Sequence, residues 1–285
     1  MGYVELSYRL FGGVVRHVKP NFLDIKDELR QANISYTLEE YLSIALFTTA
    51  ITFFLEAAML SFIFGLLVSP ALAVILALTL SLTISGILFF LFYSYPTTAS
   101  KSRGNKIKKV LPFSVSYMAT IARSNVPPIT IFKTLSEFKE YGELSKEAEN
   151  IVRDVELFGM TTSAAIKKQA KITPSKEFRD LLFGVNTMVT SGGNLGSYLK
   201  DKANELMGDY RRRIRKYSQD LSLYVEMYLT LIITGSIFFI VLSSIISTIS
   251  AGLGTIMVQT FVVFALLPLL SIGFIILIRA TSPTG

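Results

Sequence analysis

Long apolar stretches flank a polar central region along this chain. Four stretches carry at most one charge and are long enough to cross a bilayer, which takes about 20 apolar helical residues. They cover residues 41–68, 70–93, 227–250 and 255–278. Little more than Ser69 separates the first two stretches, and only residues 251–254 separate the last two. The pattern therefore predicts two tight transmembrane hairpins.

The central region shows helical periodicity, because its apolar residues recur at steps of three and four rather than in alternation. Pro128 suits the first turn of a helix, and Gly159 and Gly192 suit helix ends. Six helices are predicted, over residues 106–123, 128–138, 145–158, 162–171, 175–191 and 195–218. Residues 209–220 lack Gly and Pro, so the sixth helix should continue into the third span as a stiff connection. The predicted fold class is an all-α polytopic membrane protein, with two hairpins flanking a six-helix bundle.

This pattern divides the chain into four regions. They are an amphipathic N-terminal segment (1–40), the first hairpin (41–93), the helical bundle (94–224) and the second hairpin with a short tail (225–285). In the N-terminal region, Phe22, Ile25 and Leu29 follow a helical spacing. A helix over residues 21–41 could lie on the membrane surface or pack against the bundle, and the sequence leaves both placements open.

Composition and charge agree with a membrane protein and set its orientation. Hydrophobic residues make up 51% of the chain, charged residues 17%, and the mean hydropathy is +0.50. Residues 94–224 carry 22 Lys or Arg against 13 Asp or Glu. Since loops rich in Lys and Arg stay in the cytoplasm, the bundle and both termini are predicted to be cytoplasmic. With no Cys and His17 as the one histidine, the chain offers little material for an enzyme or a metal site, and no cofactor is expected.

Several short motifs follow one another through the bundle: Leu111-Pro112-Phe113, Arg123-Ser-Asn-Val-Pro-Pro, Tyr141-Gly-Glu-Leu-Ser and Ser191-Gly-Gly-Asn-Leu-Gly. In this order they resemble the F-type domain of type II secretion and type IV pilus platform proteins. The resemblance is strongest to the archaeal branch, which includes archaellum, adhesion-pilus and Tad-like platforms. Ser7-Tyr-Arg-Leu-Phe-Gly, near the N-terminus, also resembles archaeal members.

The resemblance implies a platform protein of the cytoplasmic (inner) membrane that has no catalytic activity. Its implied partners are a hexameric secretion ATPase, pilin-like subunits and membrane lipids, with no nucleic acid. Many relatives contain two F-type domains, whereas this sequence contains one. The resemblance therefore implies a homodimer, a heterodimer with a second F-type subunit, or a sequence that is part of a longer protein, and the sequence leaves these alternatives open.

Basic residues flank the spans on the predicted cytoplasmic side. They are Lys106, Lys108, Lys109, Arg211, Arg212, Arg213, Arg215 and Lys216. These side chains could bind anionic lipid headgroups, at about 1 kcal/mol each. They could also form a docking surface for the ATPase. The acidic residues Glu137, Glu140, Glu143, Glu147 and Glu149 are predicted to form a solvated helix face or to receive a basic partner.

Glu56 is the one charged residue inside a predicted span. A charge at that depth is costly, so the carboxyl should face protein. It could contact a pilin helix or a second protomer, or it could be protonated and hydrogen-bonded to Thr48 or Thr52.

Gly192, Gly193 and Gly196 lack the Gly-Lys-Ser/Thr ending of a phosphate-binding loop. We therefore interpret these glycines as a tight turn between two closely packed helices. The alternative function for the whole chain is a small oligomeric transporter or channel, for which the spans offer scattered Ser, Thr and Gly besides Glu56.

Overall fold

A computed structural model describes residues 2–124, 126–249 and 260–281, together with Gly254 and Met257. Within these residues every regular element is helical. The chain divides into two compact units, residues 1–203 and residues 204–285, and each is described by itself.

Two N-terminal helices open the first unit: α1 covers Tyr3–Val18 and α2 covers Leu23–Gln31, with a 3-10 turn over Lys19–Phe22 between them. The sequence analysis predicted a helix over residues 21–41 and missed α1. The helix α2 packs against the fourth helix of the chain, so of the two placements left open for this segment the structure shows packing against protein. A cluster of buried side chains joins the two helices to the first span: Val15, Ile25, Leu29, Leu38, Tyr41 and Leu42.

The first hairpin consists of α3 (Leu38–Gly65) and α4 (Pro70–Ala122), which pack against each other. A capping box between Thr37 and Glu40 fixes the start of α3. Small residues recur every fourth position on the buried face of α4, and they allow close packing of the helices. They are Ala73, Ala77, Ser81 and Ser85. Large apolar side chains of both helices, such as Phe54 and Phe62 on α3 and Phe90 on α4, are exposed, as lipid contact requires.

The helix α4 does not end at Tyr93 but continues to Ala122, through Pro96 and Pro112. The prediction of separate helices over residues 70–93 and 106–123 was therefore wrong. Proline cannot donate to the carbonyl four residues earlier, which for Pro96 is the carbonyl of Phe92. The Tyr41 hydroxyl donates to that carbonyl at 2.7 Å, so the helix continues without an unsatisfied acceptor at this point.

Beyond the hairpin, four shorter helices follow: α5 (Pro128–Glu137), α6 (Glu143–Glu156), α7 (Thr162–Ile172) and α8 (Lys176–Ser191). The helices α5, α6 and α8 pack against α4, and α7 packs against α6 and α8. Their bounds lie within two residues of those predicted. Thr161 caps α7 and Ser175 caps α8 through side-chain hydrogen bonds. Ile107, Leu111, Phe132, Leu144, Phe178 and Leu182 are among the fully buried side chains.

The helix α9 (Leu195–Tyr228) is longer than predicted and leads through a π-helical segment, Leu229–Thr234, into α10 (Gly235–Ile249). The expected continuation into the third apolar stretch is therefore present. A second π-helical segment, Val262–Leu266, leads into α11 (Leu267–Thr281).

Among the described residues, three helical stretches are long and apolar enough to cross a membrane: Leu38–Gly65, Pro70–Ala122 and Leu195–Ile246. The apolar helix Val263–Ile276 is shorter, so the fourth span stays a prediction. The predicted turn at residues 251–254 lies, except for Gly254, outside the described residues.

Candidate interaction site on the helical domain

An ionic cluster centred on Arg103 joins three helices of the first unit. The Nε of Arg103, on α4, donates to Glu143 Oε2 at 2.7 Å, and its Nη2 donates to Glu147 Oε1 at 3.4 Å. Both carboxylates belong to α6. The same guanidinium donates through Nη1 to the backbone carbonyl of Gln31, at the end of α2. Arg103 therefore holds the N-terminal helices and α6 to the same side of α4.

The two carboxyl groups around Arg103 have different environments. Glu147 is 1% exposed and accepts a hydrogen bond from Gln169 Nε2 at 3.0 Å. Burial raises the pKa of Glu147 above its ordinary value. Burial also acts to raise the pKa of Glu143, but hydrogen bonds from Lys146 and Arg103 outweigh it and lower that pKa. The prediction of a fully solvated acidic face was therefore wrong for Glu143 and Glu147.

A basic groove of about 1020 Å³ lies between the segment after α2 and the helices α6 and α7. Its cationic lining residues are Arg30, Lys146, Arg153, Lys167, Lys168 and Lys171, and its acidic ones are Glu149 and Asp154. Asp154 is already paired, because Lys168 Nζ donates to its Oδ1 at 2.8 Å. The groove therefore carries an excess of positive charge. The sequence analysis missed this site, although Lys167 and Lys171 lie four residues apart on one helix face.

The predicted basic cluster is divided between the two units. Lys106, Lys108 and Lys109 belong to α4 in the first unit, where Lys108 forms an ion pair with Glu177 on α8. The other members, Arg211, Arg212, Arg213, Arg215 and Lys216, belong to α9 in the second unit and are exposed there. Arg212 pairs with Asp209 on the same helix. Both predicted roles of these residues, binding of lipid headgroups and docking of the ATPase, stay predictions.

The three glycines between α8 and α9 lie in a crowded turn. Gly192 adopts a left-handed conformation, with φ of 70°, and ends α8. A Cβ atom added at Gly193 would lie 2.9 Å from Met188 Sδ, and one at Gly196 would lie 3.4 Å from the Ala122 carbonyl oxygen. The glycines thus allow α9 to start close to the end of α4, as a tight turn between packed helices requires.

Glu56 lies on α3, within the first span. Its Oε2 atom is buried and has no hydrogen-bond partner in the part of the chain that the structure describes. Thr48 and Thr52 donate instead to backbone carbonyls of their own helix, those of Ile44 and Thr48. The span therefore contains an acidic group whose Oε2 has no partner in the described residues.

The chain is similar to a family of secretion proteins. The family described as type II secretion system (T2SS), protein F, matches residues 115–243. Flagella accessory protein J of Methanocaldococcus jannaschii is 28% identical over 194 residues, which is 63% of this chain and 34% of that protein.

An uncharacterized protein of the same organism is 25% identical over 161 residues, covering 56% of this chain and 27% of that protein. Flagella accessory protein J of Methanococcus voltae is 24% identical over 145 residues, covering 50% of this chain and 26% of its own length. The matched region thus spans about a third or less of the length of these relatives. No solved structure matches the chain.

Proposed function

We propose that the chain is an F-type platform protein of the type II secretion and archaeal type IV filament kind, and that it couples a cytoplasmic secretion ATPase to the movement of pilin-like subunits in the membrane. The match of residues 115–243 to the type II secretion system protein F family and the similarity to two archaeal flagella accessory proteins J support this proposal. In this proposal the helical domain, which consists of the C-terminal part of α4 together with α5 to α8, binds the ATPase on the cytoplasmic side. The membrane helices contact pilin-like subunits and a second F-type subunit, which is either another copy of this chain or a related one.

The observation that carries this proposal is the continuity of α4. The same helix forms half of the first hairpin and then the central helix against which α5, α6 and α8 pack. A helix transmits a displacement along its axis much better than a flexible loop would. A force applied to the helical domain would therefore reach the membrane part of α4 directly.

We assign ATPase docking to the basic groove rather than to the basic residues next to the spans. Four of its six cations form no ion pair with any described residue: Arg30, Arg153, Lys167 and Lys171. An acidic surface of the ATPase would find complementary charge there. Residues such as Lys106 and Arg213 lie close to the apolar stretches, where anionic headgroups supply the complementary charge.

Charge reversal tests this assignment. The full chain is purified in mild detergent from cells that also express the cognate secretion ATPase, and the co-purified ATPase is quantified. For the variant with Lys167→Glu and Lys171→Glu we expect about a tenfold loss of captured ATPase, since like charges would then face each other. The variant with Arg212→Glu and Arg213→Glu should retain capture.

The control variant carries Lys176→Glu and Lys200→Glu, which make the same change of net charge at exposed sites of the same unit outside the groove. Equal loss of captured ATPase in the control and groove variants would show that net charge, and not the groove, governs binding. Loss of captured ATPase only with the variant of Arg212 and Arg213 would show that the ATPase docks on α9 instead. Absence of any ATPase from the unmodified chain's complexes would contradict the platform function itself.

A further inference from the structure

A second cavity lies beside the basic groove, where the end of α2 meets α7 and α8. It has a volume of about 510 Å³, and three cationic side chains line it: Arg30 from α2, Lys171 from α7 and Arg179 from α8. None of the three forms an ion pair with a described residue. Sites for small molecules have volumes of about 300–1,000 Å³. The cavity is therefore large enough for a small ligand and attracts an anionic one.

Contacts between distant segments hold the walls of this cavity in place. On α2, the Gln31 carbonyl accepts a hydrogen bond from Arg103, and the Gln31 side chain accepts one from Ser100 at 3.0 Å. At the start of α8, Arg179 Nη2 donates to the backbone carbonyl of Thr173 at 2.9 Å. The cations therefore belong to helices that are packed together, and not to a surface loop.

Arg179 is the cation whose environment favours an anion most strongly. Its Nε atom is buried and has no hydrogen-bond acceptor in the part of the chain that the structure describes. The guanidinium is therefore partly withdrawn from water while no described carboxylate is paired with it, which is costly. An anion in the cavity would offset part of this cost. Because guanidinium groups suit phosphate in charge and geometry, a phosphate group is the anion that fits these three cations best.

Two other lining residues indicate what the phosphate is attached to. Phe183 follows Arg179 by one helical turn on α8 and is 41% exposed, so its ring offers a surface on which a nucleobase can stack. Asp27, on α2, also lines the cavity. A carboxylate repels a bare phosphate, but it accepts hydrogen bonds from the hydroxyl groups of a ribose. This combination suits a nucleotide better than inorganic phosphate.

The cavity is too far from the apolar stretch to suit a lipid headgroup. The helix α4 passes it near Ser100, which binds Gln31, and near Gly104, where an added Cβ would lie 3.0 Å from the Pro174 carbonyl oxygen. The apolar stretch ends at Tyr93, so α4 rises about 10–16 Å before it reaches these positions. The headgroup layer is about 5–8 Å thick on each side of a bilayer. A soluble ligand therefore suits the cavity better than a membrane lipid.

We propose that this cavity binds a nucleotide, with the phosphates at Arg30, Lys171 and Arg179 and the base at Phe183. Arg30 and Lys171 also line the basic groove. A bound nucleotide would therefore neutralise charge in the groove and weaken the docking of an acidic surface there. This consequence rests on the proposed function, whereas the binding of the nucleotide does not.

Isothermal titration calorimetry tests the proposal on the full chain, purified in detergent without any ATPase. The probes are ATP and inorganic triphosphate. Arg179→Gln should lower the affinity for both probes about tenfold, because charge-assisted hydrogen bonds to phosphate are lost. Phe183→Ala should lower the affinity for ATP about tenfold and leave the affinity for triphosphate unchanged, since only a base stacks on the ring.

The control variant is Lys176→Gln, which makes the same change of charge as Arg179→Gln at an exposed site of α8 outside the cavity. It should retain the affinity of the unmodified chain. Lys171→Gln replaces Arg179→Gln if that variant does not fold, as judged by far-UV circular dichroism. Arg179, Phe183 and Lys176 all lie outside the basic groove, so these variants report on the cavity alone.

Several results would overturn the proposal. Absence of ATP binding at millimolar concentration would show that the cavity is no nucleotide site. Equal affinity for ATP in Arg179→Gln and the unmodified chain would place the nucleotide elsewhere, and equal losses in Arg179→Gln and Lys176→Gln would show that net charge governs binding.

Two further outcomes would name a different occupant. Equal affinities for ATP and triphosphate, both unchanged in Phe183→Ala, would assign the cavity to phosphate alone. The titration is also repeated in vesicles of phosphatidylcholine and in vesicles of phosphatidylglycerol. Loss of ATP binding only with phosphatidylglycerol would show that an anionic lipid headgroup occupies the cavity instead.

Discussion

The Tyr41 hydroxyl donates to the Phe92 carbonyl at 2.7 Å, although 51 residues separate the two in the sequence. Phe92 precedes Pro96 by one helical turn, so no backbone N–H is available to its carbonyl within the helix. A side chain of α3 therefore supplies the hydrogen bond that proline removes from α4. The contact lies where α4 passes from its apolar part to the helical domain.

The contact predicts a double-mutant cycle between Tyr41 and Pro96. Tyr41→Phe should reduce the free energy of unfolding by about 1–3 kcal/mol, because it leaves a partly buried carbonyl without a donor. In a Pro96→Ala background the same substitution should cost little, since Ala at this position provides the N–H. Thermal unfolding in detergent, followed by far-UV circular dichroism, measures all four proteins. An equal loss in both backgrounds would show that the hydroxyl does not replace the missing bond.

Arg103 and Lys146 both bind Glu143, and they form a matched pair for a second prediction. Arg103 also neutralises the buried Glu147, whereas Lys146 is largely exposed and binds Glu143 alone. Arg103→Ala should destabilise the protein by about 3–5 kcal/mol, because it leaves the buried Glu147 without a counterion. Lys146→Ala should cost less than about 1 kcal/mol. The same unfolding measurement compares them, and similar losses would show that burial does not govern this cluster.

The raised pKa of Glu147 predicts a dependence of stability on pH. Since burial favours its protonated form in the folded state, the folded protein binds this proton to a higher pH than the unfolded chain does. Its contribution to stability is therefore complete below the ordinary pKa of about 4.3 and declines as pH rises through the raised value. Glu147→Gln keeps the shape but removes the titration.

The melting temperature of Glu147→Gln, relative to the unmodified chain, should therefore increase as pH rises from about 4.3 toward 8. Glu149→Gln, at an exposed position on the same helix, serves as the control and should show no such trend. A difference between Glu147→Gln and the unmodified chain that stays constant with pH would contradict the assignment.

The ends of the shorter helices were predictable because each depends on one or two local residues. Pro128 starts α5, and the left-handed conformations of Gly159 and Gly192 follow α6 and α8. The continuity of α4 was not predictable in this way. Pro96 indicates a break when only its own segment is considered, and the compensating Tyr41 belongs to another helix.

The ionic cluster around Arg103 and the basic groove depend on residues that lie far apart in the sequence. Glu143 and Glu147 have the spacing of a solvated helix face, and only the approach of Arg103 from α4 buries them. The basic groove requires Arg30, near the N-terminus, to approach Lys167 and Lys171 on α7. A pattern within one segment contains no information about such pairs. The exposed apolar side chains of α1 follow a local pattern, but charged residues lie between them in the sequence: the apolar ones are Tyr3, Leu6, Leu10 and Val14.

Glu56 provides a test of whether the first span contacts a partner within the membrane. Its buried Oε2 has no partner in the described part of this chain, so an apolar residue of similar size should stabilise the isolated protein. We expect Glu56→Leu to raise the melting temperature in detergent. If the carboxyl binds a pilin-like subunit or a second protomer, the same substitution should reduce filament assembly in cells, counted by electron microscopy.

Two further variants separate the possible causes of an assembly defect at this position. Glu56→Gln retains hydrogen bonding but not charge, so normal assembly with Gln would exclude an ion pair with the partner. Met59→Leu, at an exposed position of the same span, should change neither stability nor assembly. Higher stability of Glu56→Leu combined with unchanged filament number would show that the carboxyl has no role in assembly. Higher stability combined with loss of filaments would mean that this position is kept acidic for a contact made only in the assembled machine.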